Sequence, residues 1–256
     1  FDVFRFSTRP LGEKKYLNSF NRFLSLFIWA YKANKFKADI ISCHDLLPLF
    51  IGWLSNFGRK NKAKLVYDSH EFELGRNSHK NIFTFWIIKH FESFLIRRCA
   101  FSIMVNDSIA DEVQKIHKLA DRPVVVRNVP SYWKIDQAEC QKVKNEFYKS
   151  LNLPHDFFIV MYHGRLVRNR GIEEFIEVIS KTQKTIGVIL GNGDNDYLIE
   201  LNRIVYQYDV NSRIIFHKAV SIDKLWKYVG ASDLGIIIPK IVAKSYYFGL
   251  GNKFFE

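Results

Sequence analysis

The sequence predicts an α/β fold of two domains, each built on a parallel sheet. Short apolar runs alternate with helical patterns along the 256 residues, which favours βαβ units. The alternation stops at Asn128–Ser131, where N-V-P-S is typical of a turn and a linker. A second series begins at Phe157. We therefore expect Rossmann-like domains at residues 1–130 and 131–256, facing each other across a cleft.

In the first domain, apolar residues recur at the i, i+3, i+4, i+7 spacing of a helix between Tyr16 and Tyr31. Further helices are predicted up to Trp53 and over residues 83–98 and 109–119. Between the helices, β-branched and aromatic runs predict strands. These predicted strands cover residues 1–6, 38–43, 64–69, 101–105 and 123–127.

In the second domain a charged helical stretch precedes a similar alternation. Strands are predicted over residues 157–162, 185–190, 213–216 and 234–238, and helices over residues 172–182, 197–206 and 222–229. Ligands of such sheets bind outside the carboxyl ends of the strands. Motifs that directly follow a strand are therefore the candidates for a site.

The net charge is +12, and it is uneven. Residues 1–130 contain 21 Lys and Arg against 12 Asp and Glu, whereas residues 131–256 contain 17 against 14. The basic surplus indicates an anionic partner, such as nucleic acid, an acidic membrane or phosphate groups, or it simply promotes solubility. Nucleic acid is disfavoured because the aromatic residues follow the periodicity of a core.

The longest uncharged stretch early in the fold, residues 46–58, is too short for a membrane span of about 20 residues. Three widely spaced cysteines form no disulfide framework, which favours a reducing compartment. We expect a cytoplasmic protein. The polar face of residues 14–37 is entirely positive, so it either docks on the inner face of the plasma membrane or its helix packs on its own sheet.

Two motifs of the second domain follow predicted strands. H-G-R-L-V-R-N-R-G places Arg165 and Arg170 beside a helix N-terminus, which is a ready site for a phosphate group. L-G-N-G-D places Gly191 and Gly193 after the next strand, where glycines let a ligand approach the backbone. Each motif alone is commonly a solvated turn, but together they favour a donor-binding edge.

In the first domain, D-S-H-E closes a strand and presents His70 and Glu71, candidates for contact with a sugar or a phosphate. C-H-D at Cys43–Asp45 could be a metal or nucleophile cluster. We expect no metal site, because no second pair of ligands stands at metal-binding spacing along the sequence.

Five motifs occur in an order that resembles a known family. They are A-D-I-I-S-C-H-D-L-L-P-L, K-L-V-Y-D-S-H-E, V-V-V-R-N-V-P, H-G-R-L-V-R-N-R-G and the terminal L-G-N-K-F-F-E. The sequence resembles glycosyltransferase family 4, the group 1 retaining glycosyltransferases of GT-B fold, over nearly the whole chain.

The resemblance implies roles for individual residues. Arg165 and Arg170 match the positions that hold the donor diphosphate. Glu256 matches the carboxylate that grips the donor ribose, within a donor-binding motif that includes Asn252 and Lys253. His70 matches the histidine that faces the donor sugar, and His44 and Glu71 fall on the acceptor side.

The implied activity is transfer of a sugar from a nucleotide-sugar donor to a glycan or lipid-linked acceptor, in polysaccharide or cell-envelope glycan synthesis. The nucleotide sugar is a substrate, and the resemblance implies neither a cofactor nor a metal ion. A GT-B sugar-nucleotide epimerase is the alternative, since it would share the fold and the phosphate grip.

The sequence departs from the family pattern at Phe248, where many members have Glu, and at Gly251, where Pro is usual. Segments that the family has at both ends have no counterpart here. The resemblance thus implies a fragment with two incomplete domains and no transferase activity of its own. We expect a gap inside the first sheet that leaves Lys64–Ser69 without a partner on one side.

Overall fold

The computed structural model describes residues 3, 18–75, 81–238, 240 and 247–249, with only the backbone of Asn18 and Ser19. These residues form two compact α/β units. The first unit runs to Asn128 and the second starts at Val129, two residues before the boundary that the sequence predicts. The strand predicted over residues 1–6 lies outside the described residues.

The described part of the first unit alternates helices and strands around one parallel sheet. Its elements are α1 (Asn18–Lys35), β1 (Ile40–His44), α2 (Leu46–Ser55), β2 (Lys64–Ser69), α3 (Ile82–Ile96), β3 (Phe101–Met104), α4 (Asp107–His117) and β4 (Val124–Val125). The strand order is β1-β2-β3-β4, and every pairing is parallel. All four carboxyl ends therefore meet at one edge.

The predicted gap beside Lys64–Ser69 is wrong. β2 pairs with β1 on one side and with β3 on the other. The described strands follow one another across the sheet in sequence order, because each crossover places the next strand beside the last. The strand β2 is therefore paired on both sides over residues Val66 to Asp68.

The second unit has the doubly wound topology that the sequence predicts. Its elements are α5 (Gln137–Leu151), β5 (Phe158–His163), α6 (Ile172–Lys181), β6 (Thr185–Leu190), α7 (Asn195–Gln207), β7 (Ile214–His217), α8 (Ile222–Val229) and β8 (Leu234–Gly235). The parallel strands lie in the order β7-β6-β5-β8. Numbered within the unit this is 3-2-1-4, so the strand order reverses at β5.

Burial explains why these residues form these elements. All six residues of β6 are buried, as expected for a central parallel strand covered on both faces. α6 buries Ile172, Phe175, Ile176 and Ile179, which is the apolar stripe of an amphipathic helix. Asparagine and aspartate side chains accept backbone hydrogen bonds at the starts of α3, α4 and α5, which fixes where those helices begin.

The aromatic face of α1 does not pack on the first sheet. Phe20, Phe23, Phe27 and Tyr31 are 44–64% exposed. The helix instead buries its small and polar face, including Asn21, Ser25 and Ala30, and Asn34 Nδ2 donates to the Ser55 carbonyl at the end of α2, 2.5 Å away. The prediction that aromatic residues follow the periodicity of a buried core is therefore wrong for α1.

None of the described helices has the length and hydropathy needed to cross a membrane.

Phe248 belongs to the first unit, although it follows the strands of the second along the chain. Its ring packs edge-on against Phe72, with centroids 5.8 Å apart, and its carbonyl accepts a hydrogen bond from Asn106 Nδ2 at 2.6 Å. The predicted assignment of all residues after 130 to the second domain thus does not hold at Phe248, because its half-buried ring packs against the core of the first unit.

Candidate functional site

The loop between β5 and α6 carries the two arginines that the sequence singles out. It is fastened to the loop that follows β6 by backbone hydrogen bonds from Gly164 N to the Leu190 carbonyl and from Leu166 N to the Asn192 carbonyl, each 2.9 Å long. Leu166 is buried between these loops and anchors the segment. Arg165 and Arg170 are exposed on either side of that anchor.

The three arginines of this loop have different surroundings. Arg168 pairs with Glu200 on α7, and its guanidinium lies 5.2 Å from the Tyr197 ring centroid. Within the described part of the chain, no carboxylate pairs with Arg165, whose carbonyl accepts from the Tyr162 hydroxyl at 3.1 Å. The backbone of Arg165 is thus held while its guanidinium stays available to a ligand.

The start of α6 adjoins the same loop. Its N-cap is Gly171, with φ of 73°, and no side chain caps the helix. No N-cap side chain therefore occupies the first-turn N–H groups, although the carboxylates of Glu173 and Glu174 lie in that turn. A Cβ at position 171 would lie 2.3 Å from the Ile238 carbonyl, and Lys240 N donates to the Asn169 carbonyl at 3.3 Å. The chain after β5 thus meets the chain after β8, which is where the strand order reverses.

Gly191 and Gly193 have a structural role at the carboxyl edge of the second sheet. A Cβ on Gly191 would lie 1.8 Å from the Gly164 carbonyl oxygen, and a Cβ on Gly193 would lie 2.5 Å from the Leu166 carbonyl oxygen. The two glycines therefore let the loops after β5 and β6 approach backbone to backbone. Their predicted contact with the donor stays a prediction.

In the first unit, three side chains converge at the carboxyl ends of β1 and β2. His44 Nδ1 lies 3.0 Å from His70 Nε2 and 3.1 Å from Asp68 Oδ2. His70 Nε2 lies 3.9 Å from the same carboxylate oxygen. The register explains the cluster, because His44 pairs directly with Asp68 and His70 follows Asp68 by two residues.

The backbone around this cluster is fixed by Asp45. Asp45 N donates to the Asp68 carbonyl at 2.9 Å, and Asp45 Oδ1 accepts from His70 N at 3.3 Å. The φ of Asp45 is 75°, which turns the chain directly from β1 into α2. The neighbouring Glu71 is exposed, and its carbonyl accepts from Ser69 Oγ at 2.7 Å.

Cys43 does not contribute a nucleophile to this cluster. Its side chain is buried on the opposite face of β1, and burial raises the pKa of the thiol to about 11. At neutral pH the thiol is protonated and unreactive. The structure therefore excludes Cys43 as a nucleophile in the C-H-D motif. The neighbouring His44 instead lies beside Asp68 and His70, at the end of the next strand.

The structure groups the predicted residues at two strand edges. Arg165, Arg170, Gly191 and Gly193 lie at the carboxyl edge of the second sheet, and His44, His70 and Glu71 lie at that of the first. The predicted residues Asn252, Lys253 and Glu256 lie outside the described residues. Asp68, which contacts both histidines, was not among the predicted site residues, although pairing the ends of two neighbouring predicted strands brings it beside them.

Comparison with known proteins supports the resemblance. Residues 143–240 match the family described as glycosyl transferases group 1. An uncharacterized glycosyltransferase of Methanocaldococcus jannaschii is 28% identical over 216 residues, covering 80% of this chain and 52% of that protein. Mannosylglucosylglycerate synthase of Petrotoga mobilis is 24% identical over 233 residues, covering 78% and 51%. The chain thus spans about half the length of these relatives.

Solved structures show the same fold. Anabaena HepE in complex with UDP and glucose superposes with a TM-score of 0.64 at 17% identity, covering 82% of this chain and 54% of that one. Sucrose-phosphate synthase from Thermosynechococcus elongatus gives 0.64 at 18% identity, covering 91% and 58%. Two parallel-sheet units that match these enzymes confirm the predicted GT-B fold class. Residues 143–240, less than half of the chain, thus resemble the glycosyl transferases group 1 family within a GT-B fold.

Proposed function

We propose that the protein carrying this chain is a retaining glycosyltransferase that uses a nucleotide-sugar donor. The observation that carries the proposal is the position of Arg165, exposed at the carboxyl end of β5 where the strand order reverses. Doubly wound sheets bind their ligands at this point. The uncapped N-terminus of α6 adds backbone donors beside it.

The chemistry follows from the leaving group. When the bond between the anomeric carbon and the diphosphate breaks, negative charge develops on the phosphate oxygens. Arg165 and Arg170 stabilise that charge through charge-assisted hydrogen bonds, together with the first-turn N–H groups of α6. Fixed cations take the place of a metal ion, so transfer proceeds without a divalent metal or another cofactor.

The nature of the donor is supported by the structural relatives. Anabaena HepE has been solved with UDP and glucose and with UDP-glucose. We therefore take UDP as the first nucleotide to test with this protein. Asn252, Lys253 and Glu256 are assigned to the donor by the resemblance alone, with Glu256 on the ribose.

The first unit supplies the remaining roles. Following the resemblance, we assign His70 to the donor sugar and His44 and Glu71 to the acceptor side, and all three lie at the carboxyl edge of the first sheet. The acceptor is a glycan or a lipid-linked sugar, in polysaccharide or cell-envelope glycan synthesis.

Docking on an anionic membrane is supported by α1. Its exposed aromatic side chains are accompanied by exposed Arg22, Lys32 and Lys35, and the helix contains no acidic residue. Such a helix lies in the interface with its apolar face in the lipid and its cations at the headgroups. A peripheral position on the cytoplasmic face of the plasma membrane would bring the site to lipid-linked acceptors.

Product analysis tests the activity. The protein is incubated with UDP-sugars and a panel of glycan and lipid-linked acceptors in the presence of EDTA, and products are examined by NMR. We expect UDP release coupled to acceptor glycosylation, with the anomeric configuration of the donor retained and with no loss on chelation. An inverted linkage would contradict the proposed stereochemistry. A new epimer of the nucleotide sugar, formed without an acceptor, would contradict transfer itself.

A further inference from the structure

We propose that His44, Asp68 and His70 form a binding site for a borderline transition-metal ion, for which Zn²⁺ is the natural probe. The proposed transfer reaction does not use such an ion, and an ion bound here would compete with the sugar contacts proposed for His44 and His70. The proposal revises the expectation from sequence that the chain holds no metal site. It does not depend on the glycosyltransferase activity, since it rests on the geometry of the first unit alone.

The distances fit a tetrahedral site. Zn²⁺ binds imidazole nitrogen and carboxylate oxygen at about 2.0–2.2 Å, so two ligand atoms of a tetrahedron lie about 3.3–3.6 Å apart. The three ligand-atom separations here are 3.0, 3.1 and 3.9 Å. Small rotations of exposed side chains bring all three to one distance from a common centre. The described residues contain this one group of three candidate ligands.

The ligand types define the ion. Two imidazoles and one carboxylate suit Zn²⁺, Co²⁺, Ni²⁺ and Fe²⁺, whereas Mg²⁺ and Ca²⁺ prefer oxygen ligands alone. His44 Nδ1 and His70 Nε2 lie 3.0 Å apart, which is a hydrogen-bond distance. An ion would replace this hydrogen bond and would be coordinated by both nitrogen lone pairs once the two atoms separate to about 3.3 Å.

The backbone holds the ligands in place. His44 and Asp68 are paired residues of adjacent parallel strands, and Asp45 ties both the Asp68 carbonyl and the His70 N–H. Ligands supplied by strand ends therefore need little reorganisation on binding. The side chains of His44, His70 and Asp68 are 60%, 51% and 24% exposed, so an ion can enter directly and can keep a water ligand in the fourth position.

Calorimetric titration with ZnCl₂ and visible spectroscopy with CoCl₂ test the site in the purified protein. We expect one ion to bind at this cluster and Co²⁺ to show the intense absorption of tetrahedral coordination. His44→Gln, His70→Gln and Asp68→Asn should each weaken binding at least about tenfold, because loss even of a group that only orients a ligand costs 10–100-fold.

His90→Gln is the matched control. His90 is also exposed, but its Nδ1 lies 2.8 Å from the Trp86 carbonyl and it stands apart from the cluster. Its substitution should leave Zn²⁺ affinity and the Co²⁺ spectrum unchanged. Circular dichroism and urea midpoints confirm folding, and the exposed histidine variants decide the outcome if Asp68→Asn unfolds. Absence of binding, or binding that all three cluster variants retain, would overturn the proposal.

Discussion

Arg165 and Arg168 stand three residues apart in one loop, yet their surroundings differ. Arg168 pairs with Glu200 on α7, 32 residues along the chain. The sequence motif identifies a basic loop. It does not show which arginine forms an ion pair within the protein, as Arg168 does, and which can bind phosphate. The pair thus provides a matched contrast, because both substitutions remove one exposed arginine from the same segment.

Gly191 illustrates a residue whose role at the site is first of all steric. Gly191→Ala would place a methyl group 1.8 Å from the Gly164 carbonyl oxygen, so the loop that carries Arg165 must move. We expect the free energy of unfolding to fall by about 1–3 kcal/mol, the usual cost of overpacking. Urea denaturation measures this change.

Gly235→Ala is the control for that measurement. Gly235 lies in β8 and is exposed, and no atom of the described residues would come within 4 Å of its new methyl group. Its urea midpoint should stay close to that of the parent protein. Equal midpoints for the two variants would show that the close approach of the loops does not constrain position 191.

The cluster of His44, Asp68 and His70 in the first unit could be predicted only in part from the sequence. His44 and His70 were both identifiable from their places after predicted strands. Their association through Asp68 was not, because His44 and Asp68 are 24 residues apart, far beyond the short spacing of metal ligands along a chain. The three residues come together only through the register of β1 against β2, which is a property of the paired strands.

Among the secondary-structure elements, α1 shows that hydrophobic periodicity predicts a helix but not the environment of its apolar face. The i, i+3, i+4, i+7 pattern of residues 16–31 correctly predicted a helix, found at Asn18–Lys35. It did not predict which face packs, because an apolar stripe can cover a core or enter a bilayer. Small and polar residues are buried, Asn34 contacts the end of α2, and the aromatic stripe is exposed.

The exposed face of α1 predicts binding to anionic vesicles. Replacing Phe20, Phe23 and Phe27 by Ser should abolish co-sedimentation with vesicles that contain phosphatidylserine, because it removes the side chains that enter the lipid. Binding of the parent protein should weaken as salt rises, since attraction between exposed charges is screened over about 10 Å at 0.1 M.

Tyr206 and Ile199 supply the control for the vesicle experiment. Both are exposed on α7 of the second unit, so their replacement by Ser removes apolar surface away from α1. Vesicle binding should persist in that variant. Equal sedimentation of the parent protein with neutral and anionic vesicles, or with neither, would contradict a docking role for α1.

Strand prediction was most accurate where strands are central. β2 and β6 have the bounds that the sequence predicts, since each is paired on both sides. β4 and β8 are reduced to two residues each, at ends of the described sheets. Apolar composition marks a strand, but its length depends on how far the neighbouring strand runs alongside it.

For the whole molecule, two structural findings agree with the family resemblance. The second sheet reverses its strand order at β5, and the loop that leaves β5 contains the arginines of the family motif. The first sheet gathers the predicted histidines at its own carboxyl edge. The wrong prediction, a gap beside β2, came from assigning strand positions by analogy before the pairing was known.

Binding of UDP tests the central claim, that Arg165 holds the donor diphosphate, most directly. Calorimetric titration of the protein with UDP is compared with the same titration of Arg165→Ala and Arg168→Ala. Loss of one charge-assisted hydrogen bond, worth about 1.5–3 kcal/mol, should weaken UDP binding by roughly 10- to 150-fold in Arg165→Ala. Arg168→Ala should bind UDP nearly as the parent does, because Glu200 already engages that guanidinium. Unchanged UDP affinity in a folded Arg165→Ala protein would contradict the assignment of this loop to the donor.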